Sequence, residues 1–397
     1  MQLSLNAVSK IKDTSVEALG LLKCVEADDV MTVREELHDL FVKASGAIDI
    51  INSFADIQKS LETVGYSDKW YEMVFESSNL KDLCEINMPK FLDNPVNRGK
   101  ACMEGIMDTI KTWCKKALEV IMKIIDGIIK FMNWLNKMAR EHLRANKEFK
   151  RKSLAILNEA SKKLAEQTLG ISIEGYYDFE KLGPMVMFTR TLVDVLCPSN
   201  KSGLNEANPA IFNADGIQNL SNDQLKQEFF KRLGKELQLK GIQYNNMDNG
   251  FVLKFDGAIN KYVKFFDDDA PGEFPKLTIN IAEIKDAADL ISKATDSYGV
   301  FIDSTLSLIT DVEAHVKRRK SEFEKILRNI DYTGDADDPS TDTVNKTKAN
   351  IILSMCGLSI ITGASQFINR IFNAFRANQQ LQAELVKAIY GTAKNNP

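Results

Sequence analysis

Between Cys102 and Met138, apolar residues recur mostly at every third or fourth position: Ile106, Ile110, Trp113, Leu118, Ile121, Ile125, Ile128, Phe131 and Leu135. Lysines at 111, 115, 116, 123, 130 and 137 fall mainly between them. That spacing predicts a helix with one wide apolar face and one cationic face, which cannot stand alone in water. The helical signal covers residues 98–168. A single helix of that length would extend about 105 Å at 1.5 Å per residue. A break near Gly127 or within 140–153 is therefore expected, folding the segment into a hairpin.

Three further stretches carry the same period. Residues 28–64 repeat Leu37, Phe41, Ala44, Ile48, Ile51 and Phe54 on one face, behind Asp28 or Asp29 as a cap. Residues 282–330 and 344–390 form two more long helices, separated by the acidic linker 331–343. Shorter helices are expected at 185–197 and at 222–238, the latter capped by Ser221 or Asn222. Residues 65–95 are broken by Gly65, Pro89 and Pro95 and anchored by Trp70, Tyr71 and Phe75; residues 198–219 read as a polar loop. Between 241 and 281, short aromatic and β-branched runs alternate with turn signals at Asp248-Asn249-Gly250 and Asp256-Gly257. They predict one small antiparallel sheet of three or four strands. The fold class is thus mainly α: long antiparallel helices in an elongated bundle with a small antiparallel β insertion. The regions are 1–168 (long helices), 169–240 (mixed connector), 241–281 (β insertion) and 282–397 (helical hairpin).

Composition narrows the class. The 397 residues hold 44 % hydrophobic and 27 % charged residues, with 51 Lys plus Arg against 55 Asp plus Glu, a net of 51 − 55 = −4. These proportions exclude a collagen, a disordered chain and a multispanning membrane protein, and they argue against a strongly basic nucleic-acid binder. The six cysteines form no CxxC and are expected as buried free thiols in a reducing compartment. His38, His142 and His315 are far apart and are expected as surface or partly buried helical residues. No HExxH, GxSxG, GxxxxGK[ST] or GxGxxG is present. No catalytic residue, cofactor or metal ligand is assigned, and the reading is non-enzymatic. No apolar stretch follows a basic start at the N-terminus, and no run of 18 apolar residues lacks a polar break. Neither a signal peptide nor a clear transmembrane helix is expected.

Four groups of residues are candidates for contacts. Trp113, Ile125, Trp134 and Ile360 mark helices that would meet a membrane or a partner helix, or simply the core. Ser354, Gly357, Ser359, Gly363 and Ala364 supply the small surfaces of close helix packing. Residues 137–163 hold nine Lys/Arg against three Glu, a local net of +6; Lys147, Lys150, Arg151 and Lys152 are candidates for phosphates or an anionic surface. A second basic run spans Lys317 to Lys320, and a DNA role gains if the two runs lie together. The acidic groups Asp335–Asp342 and Asp267–Asp269 do not fit a calcium loop and read as a linker and a strand end.

The Lys/Trp/Ile-rich run TIKTWCKKALEVIMKIIDGIIKFMNWLNKM resembles the internal head proteins of large tailed bacteriophages. The resemblance implies a structural virion protein, assembled in the host cytoplasm, packaged with DNA and in some cases ejected with it. It also implies processing by a head protease after a Glu, as at Ser15-Val16-Glu17 before Ala18. Ser60-Leu61-Glu62, Ala117-Leu118-Glu119 and Ser172-Ile173-Glu174 match that motif equally well. Expected partners are other virion proteins or further copies of the chain, and packaged DNA through the basic stretches. The alternative is a membrane-active protein, because long helices, a small β insertion and an apolar hairpin also occur in helical pore-forming toxins.

Overall fold

The computed structural model describes residues 27–76, 94–164, 167–178, 189–198, 208–240, 243–247, 250–255, 259–263, 276–332 and 341–394. Expectations for Ser15, Glu17, Ala18, Cys24, Cys84, the Phe75 side chain and the acidic groups at 267–269 and 335–338 lie outside what it describes. The expected cap at Asp28 or Asp29 is not found, because the first helix already includes both residues. The fold is mainly α. Four long helices make the body: α1 (Ala27–Val64), α3 (Pro95–Leu164), α7 (Ile284–Tyr332) and α8 (Thr341–Lys394). The short α2 (Asp68–Tyr71) leads into a π turn and buries Trp70 and Tyr71, as expected for this anchor.

The expected hairpin in 98–168 does not form: α3 is one continuous helix of 70 residues. Gly127 serves packing rather than a break. A Cβ there would come within 2.8 Å of the Leu37 side chain, so its missing side chain lets α1 approach. Across 140–153 the buried stripe continues through polar residues. His142, Asn146, Phe149, Ser153 and Leu157 are all buried at helical spacing, so the apolar period fades while the helix does not.

α3 is the spine. α1 runs antiparallel to it, with Leu37 beside Gly127 and Tyr66 beside Gly99. α7 is antiparallel too: Lys320 pairs with Asp126 at 2.6 Å, and Lys150 with Asp296 at 2.6 Å. α8 lies parallel to α3, with Ser365 beside Met132 and Phe372 against His142. At 1.5 Å per residue the spine is about 105 Å long, so no other helix covers all of it and the neighbours are staggered.

The connecting region departs from expectation in two ways. Leu277-Thr-Ile-Asn-Ile is not part of the predicted sheet. It forms β5 (Lys276–Ile281), which pairs antiparallel with β1 (Ile171–Tyr177), a strand lying in the expected mixed connector. Ile171, Ile173 and Tyr176 are buried while Glu174 and Gly175 are exposed. The register shifts between Ile173 and Tyr176, where Gly175 has φ +75°, and that bulge hides the simple alternation of a strand. The remaining strands, β2 (Gln243–Met247), β3 (Gly250–Phe255) and β4 (Ile259–Val263), form a separate antiparallel meander. Secondly, the polar loop expected at 198–219 contains a helical turn, α5 (Pro209–Phe212), capped by Asn208 and burying Ile211 and Phe212. The expected 185–197 helix is seen as α4 over 189–196. α6 (Asn222–Leu239) starts in a capping box between Ser221 and Gln224.

The β1–β5 ribbon docks on α8 through side-chain amides. Asn378 Oδ1 accepts from the Tyr177 amide at 2.8 Å, and Asn378 Nδ2 donates to the Tyr177 carbonyl at 2.8 Å. Asn378 thus satisfies both backbone groups of Tyr177 in the way a second strand would. Gln382 Nε2 donates to the Tyr176 hydroxyl at 2.6 Å.

Candidate functional site

The segment of α8 from Ile351 to Ser365 carries no charge and is the most apolar part of the fold. Ile351, Leu353 and Ile360 are fully buried, and Ile352, Leu358, Ile361 and Ala364 nearly so. Two of the polar residues that interrupt it turn back on their own helix. Thr362 Oγ1 donates to the Leu358 carbonyl at 2.9 Å and Ser365 Oγ to the Ile361 carbonyl at 2.7 Å. Those hydroxyls are satisfied without any other element, which removes most of the cost of placing them in an apolar medium. By length and composition α8 passes as a membrane-crossing helix, with mean hydropathy 1.8 in its most apolar window. Because 88 % of that window is buried inside the bundle, it is not a clear transmembrane helix.

Small residues let neighbours reach this segment. A Cβ at Gly357 would stand 2.7 Å from the Phe212 ring, which α5 inserts against α8. The Arg319 guanidinium lies over Phe212 at 4.8 Å and over Phe323 at 5.5 Å, and it donates to Ser354 Oγ. Arg319 therefore ties α7 to the start of the apolar segment.

Deeper along the bundle, α3, α7 and α8 meet in an aromatic node. Tyr298 stacks on Phe375 at 4.3 Å, and Phe301 meets Phe372 edge-on at 5.2 Å. His142 meets Phe372 edge-on at 5.1 Å and hydrogen-bonds the Tyr298 hydroxyl through Nδ1. Beside it, Asn146 Nδ2 donates to the Thr295 carbonyl at 2.7 Å. Burial, with Arg376 nearby, lowers the His142 pKa to about 4. His315 is also buried and held down at about 3, by burial first and then by Arg319 and Arg318. The expectation of surface or partly buried histidines holds for His38 alone, which is exposed. His142 and His315 occupy core positions of α3 and α7, where an apolar residue would ordinarily stand.

The sequence candidates fall into three settings. Ile125 and Ile360 are fully buried core residues. Trp113 and Trp134 are half-buried at the margin of α3; the Lys116 ammonium lies 4.1 Å from the Trp113 ring, and Trp134 stacks on Phe131. Among the basic candidates, Lys150 is paired with Asp296, and Lys152 with Glu148 at 2.6 Å, while Lys147 and Arg151 are exposed. The two basic runs do not lie together. Lys320 sits opposite Asp126, which is about 30 Å along α3 from Lys147 at 1.5 Å per residue. Lys317 and Arg319 are paired with Glu313 and Glu322.

Cys102, Cys114 and Cys197 are buried free thiols and Cys356 is half-buried. Burial pushes the Cys114 thiol up to about 12, far from a reactive thiolate. Among the described residues, no group of three or more His, Cys, Asp or Glu side chains is placed to hold a metal ion. Of the buried polar residues, Asn146, Asn378 and Gln382 escaped the sequence reading, and His142 was expected at or near the surface. Their one legible signal was their phase, since each falls on the buried face of its helix.

Comparisons of the chain with protein-family models, with curated proteins and with solved structures find no match.

Proposed function

We propose that the protein is a non-enzymatic, membrane-active helical protein that carries an apolar helix folded away inside its bundle. The observation that supports this is the uncharged Ile351–Ser365 segment of α8, a helix packed on by α3, α5, α6 and α7, with Thr362 and Ser365 bonded within their own helix. A segment built this way loses little hydrogen bonding when it leaves the bundle for hydrocarbon. Leaving does require α7 to release α8 at Arg319 and Ser354. The full-length chain is therefore expected to release dye from anionic phospholipid vesicles. A reducible cross-link between cysteines placed at Arg319 and Ser354 is expected to block release, and reduction to restore it. Vesicles that stay tight over the range from acidic to neutral pH would sink the proposal.

A second reading is an internal head protein of a phage particle. Three of its four candidate processing sites are built into α1, α3 and β1, with the middle residue (Leu61, Leu118 or Ile173) buried. Helical backbone in α1 and α3, and burial and strand pairing in β1, withhold these three from a protease in the folded protein, so this reading expects one cut, after Glu17. Peptide mapping of purified particles from the source lysate checks it. Abundant peptides beginning at Ala18 support it, and absence of the chain from clean particles removes it.

A further inference from the structure

Lys116, Lys123, Lys130, Lys137, Arg144 and Arg151 stand at intervals of seven residues along α3, and all six are exposed. Seven residues are about 10.5 Å of helix, so the row is about 52 Å long. Among the described residues no carboxylate ion-pairs with any of the six. Lys116 instead covers the Trp113 ring. Arg140 and Lys147, also exposed, widen the row on one flank. The exposed acids along the same stretch are Glu119, Glu141 and Glu148; Glu148 is ion-paired with Lys152 and feels Arg151 only through the weaker field of a longer separation. Other cations of the bundle behave differently: Lys150, Lys317, Arg319 and Lys320 all meet acids. Unpaired like charges in a line repel one another, and an anionic surface relieves that repulsion.

The tryptophans indicate which surface. Trp113 and Trp134 each precede a member of the row, Lys116 and Lys137, by three residues, so they stand on the same flank of it. Each is half-buried with one ring face already covered, by Lys116 and by Phe131. Rings so covered are poor platforms for stacking nucleobases. Half-exposed indoles beside a line of Lys and Arg are the arrangement that settles at the headgroup level of a bilayer. A long helical edge also meets a plane along much of its length, whereas it meets a DNA duplex only where the winding phosphates pass.

We propose that the Lys116–Arg151 row of α3, flanked by Trp113 and Trp134, is the face with which the folded bundle docks on anionic lipid headgroups. The proposal rests on the membrane reading above but concerns the step before any helix leaves the bundle. Docking and dye release are therefore measured separately. The test is co-sedimentation of the full-length chain with vesicles of phosphatidylcholine alone or of equal parts phosphatidylcholine and phosphatidylglycerol. A cation near such a surface raises partitioning about fivefold. Lys123→Gln, Lys130→Gln, Lys137→Gln and Arg144→Gln together are therefore expected to lower binding to the mixed vesicles roughly several-hundredfold. All four residues are exposed, so the thermal midpoint should stay near that of the parent. Lys150→Gln with Lys152→Gln, which removes paired cations, is expected to change binding by less than about fivefold. Wild-type binding is expected to fall as salt rises, because screening shortens the reach of the row. Equal binding to both vesicle types overturns the proposal, as does undiminished binding by the fourfold variant. Loss of duplex-DNA binding in that variant, with vesicle binding intact, would assign the row to nucleic acid instead. Docking without dye release would overturn the membrane-active reading and leave the docking face standing; release that ignores the four substitutions would do the reverse.

Discussion

Phe372→Ala is expected to lower the folding stability of the chain by about 3–5 kcal/mol, the range for emptying the site of a fully buried phenyl ring. Phe372 is 1 % exposed and stands where three helices meet. It touches His142 from α3, and Tyr298 and Phe301 from α7, with ring centroids 5.1, 6.3 and 5.2 Å away. The interior cannot close over so large a gap by moving one neighbour, because each neighbour is itself fixed. Tyr298 and Phe301 stack on Phe375 at 4.3 and 5.1 Å, and His142 is bonded to Tyr298. The void therefore persists and exposes the His142–Tyr298 pair to water. Chemical denaturation followed by helical circular dichroism measures the loss. Val300→Ala, beside Phe301 on α7 but 68 % exposed, is the control and should cost well under 1 kcal/mol. A Phe372→Ala shift no larger than the control would mean that α3, α7 and α8 do not share this core.

The same node shows where sequence reasoning stops. The four long helices are legible because each repeats apolar residues on one face, and the period survives whatever each helix packs against. The Ser221 cap is legible because a capping box is local chemistry. The continuity of α3 is not, because its buried stripe passes through His142, Asn146 and Ser153, which any hydropathy pattern reads as solvent-facing. Only the partners justify them: the Tyr298 hydroxyl and the Thr295 carbonyl come from α7, about 150 residues further along the chain. Strand β1 is hidden for a related reason. Its bulge at Gly175 breaks the alternation, and its partner β5 lies about a hundred residues further along the chain. For the proposed surface, sequence reading grouped the cations by their neighbourhood in the chain. Lys147, Lys150, Arg151 and Lys152 are neighbours in sequence, yet ion pairs consume Lys150 and Lys152. The cations without an ion-pair partner instead repeat every seven residues, close to two helical turns, and all six are exposed.

Acidification is expected to destabilise the bundle well before carboxylate loss does. Both buried imidazoles have an ordinary pKa of 6.5, and the folded state holds His142 at about 4 and His315 at about 3. Depressed values mean that the unfolded chain takes up these protons first. The stabilisation from keeping them neutral is thus fully present above about pH 6.5. It falls away as pH drops below 6.5 and stops falling only once the folded values are passed. At about 1.4 kcal/mol per unit, His142 alone accounts for a loss of about 3 kcal/mol between pH 6.5 and 4. The groups that face it are Phe372 and Arg376 from α8 and Tyr298 from α7; no carboxylate is among them, so nothing on hand rewards its protonation. Glu148 and Glu228 are held below the usual carboxylate range by Lys152 and by Lys231, so they stay ionised through most of the same window. Denaturation midpoints are therefore expected to be flat from pH 8 to about 6.5 and to decline steadily below it. The double variant His142→Phe with Tyr298→Phe replaces both partners of the buried bond, leaving neither unsatisfied. It should keep the neutral-pH stability within about 1–2 kcal/mol and lose a large part of the acid slope, the remainder belonging to His315. Because His142 and Tyr298 join α3 to α7 beside the α8 contact, the same acid window should favour release of α8, and dye release from anionic vesicles should rise as pH falls through it. A midpoint that is flat down to pH 5 would show that both imidazoles reach water or a counter-charge in the folded state, and the link between acid and helix release would go with it.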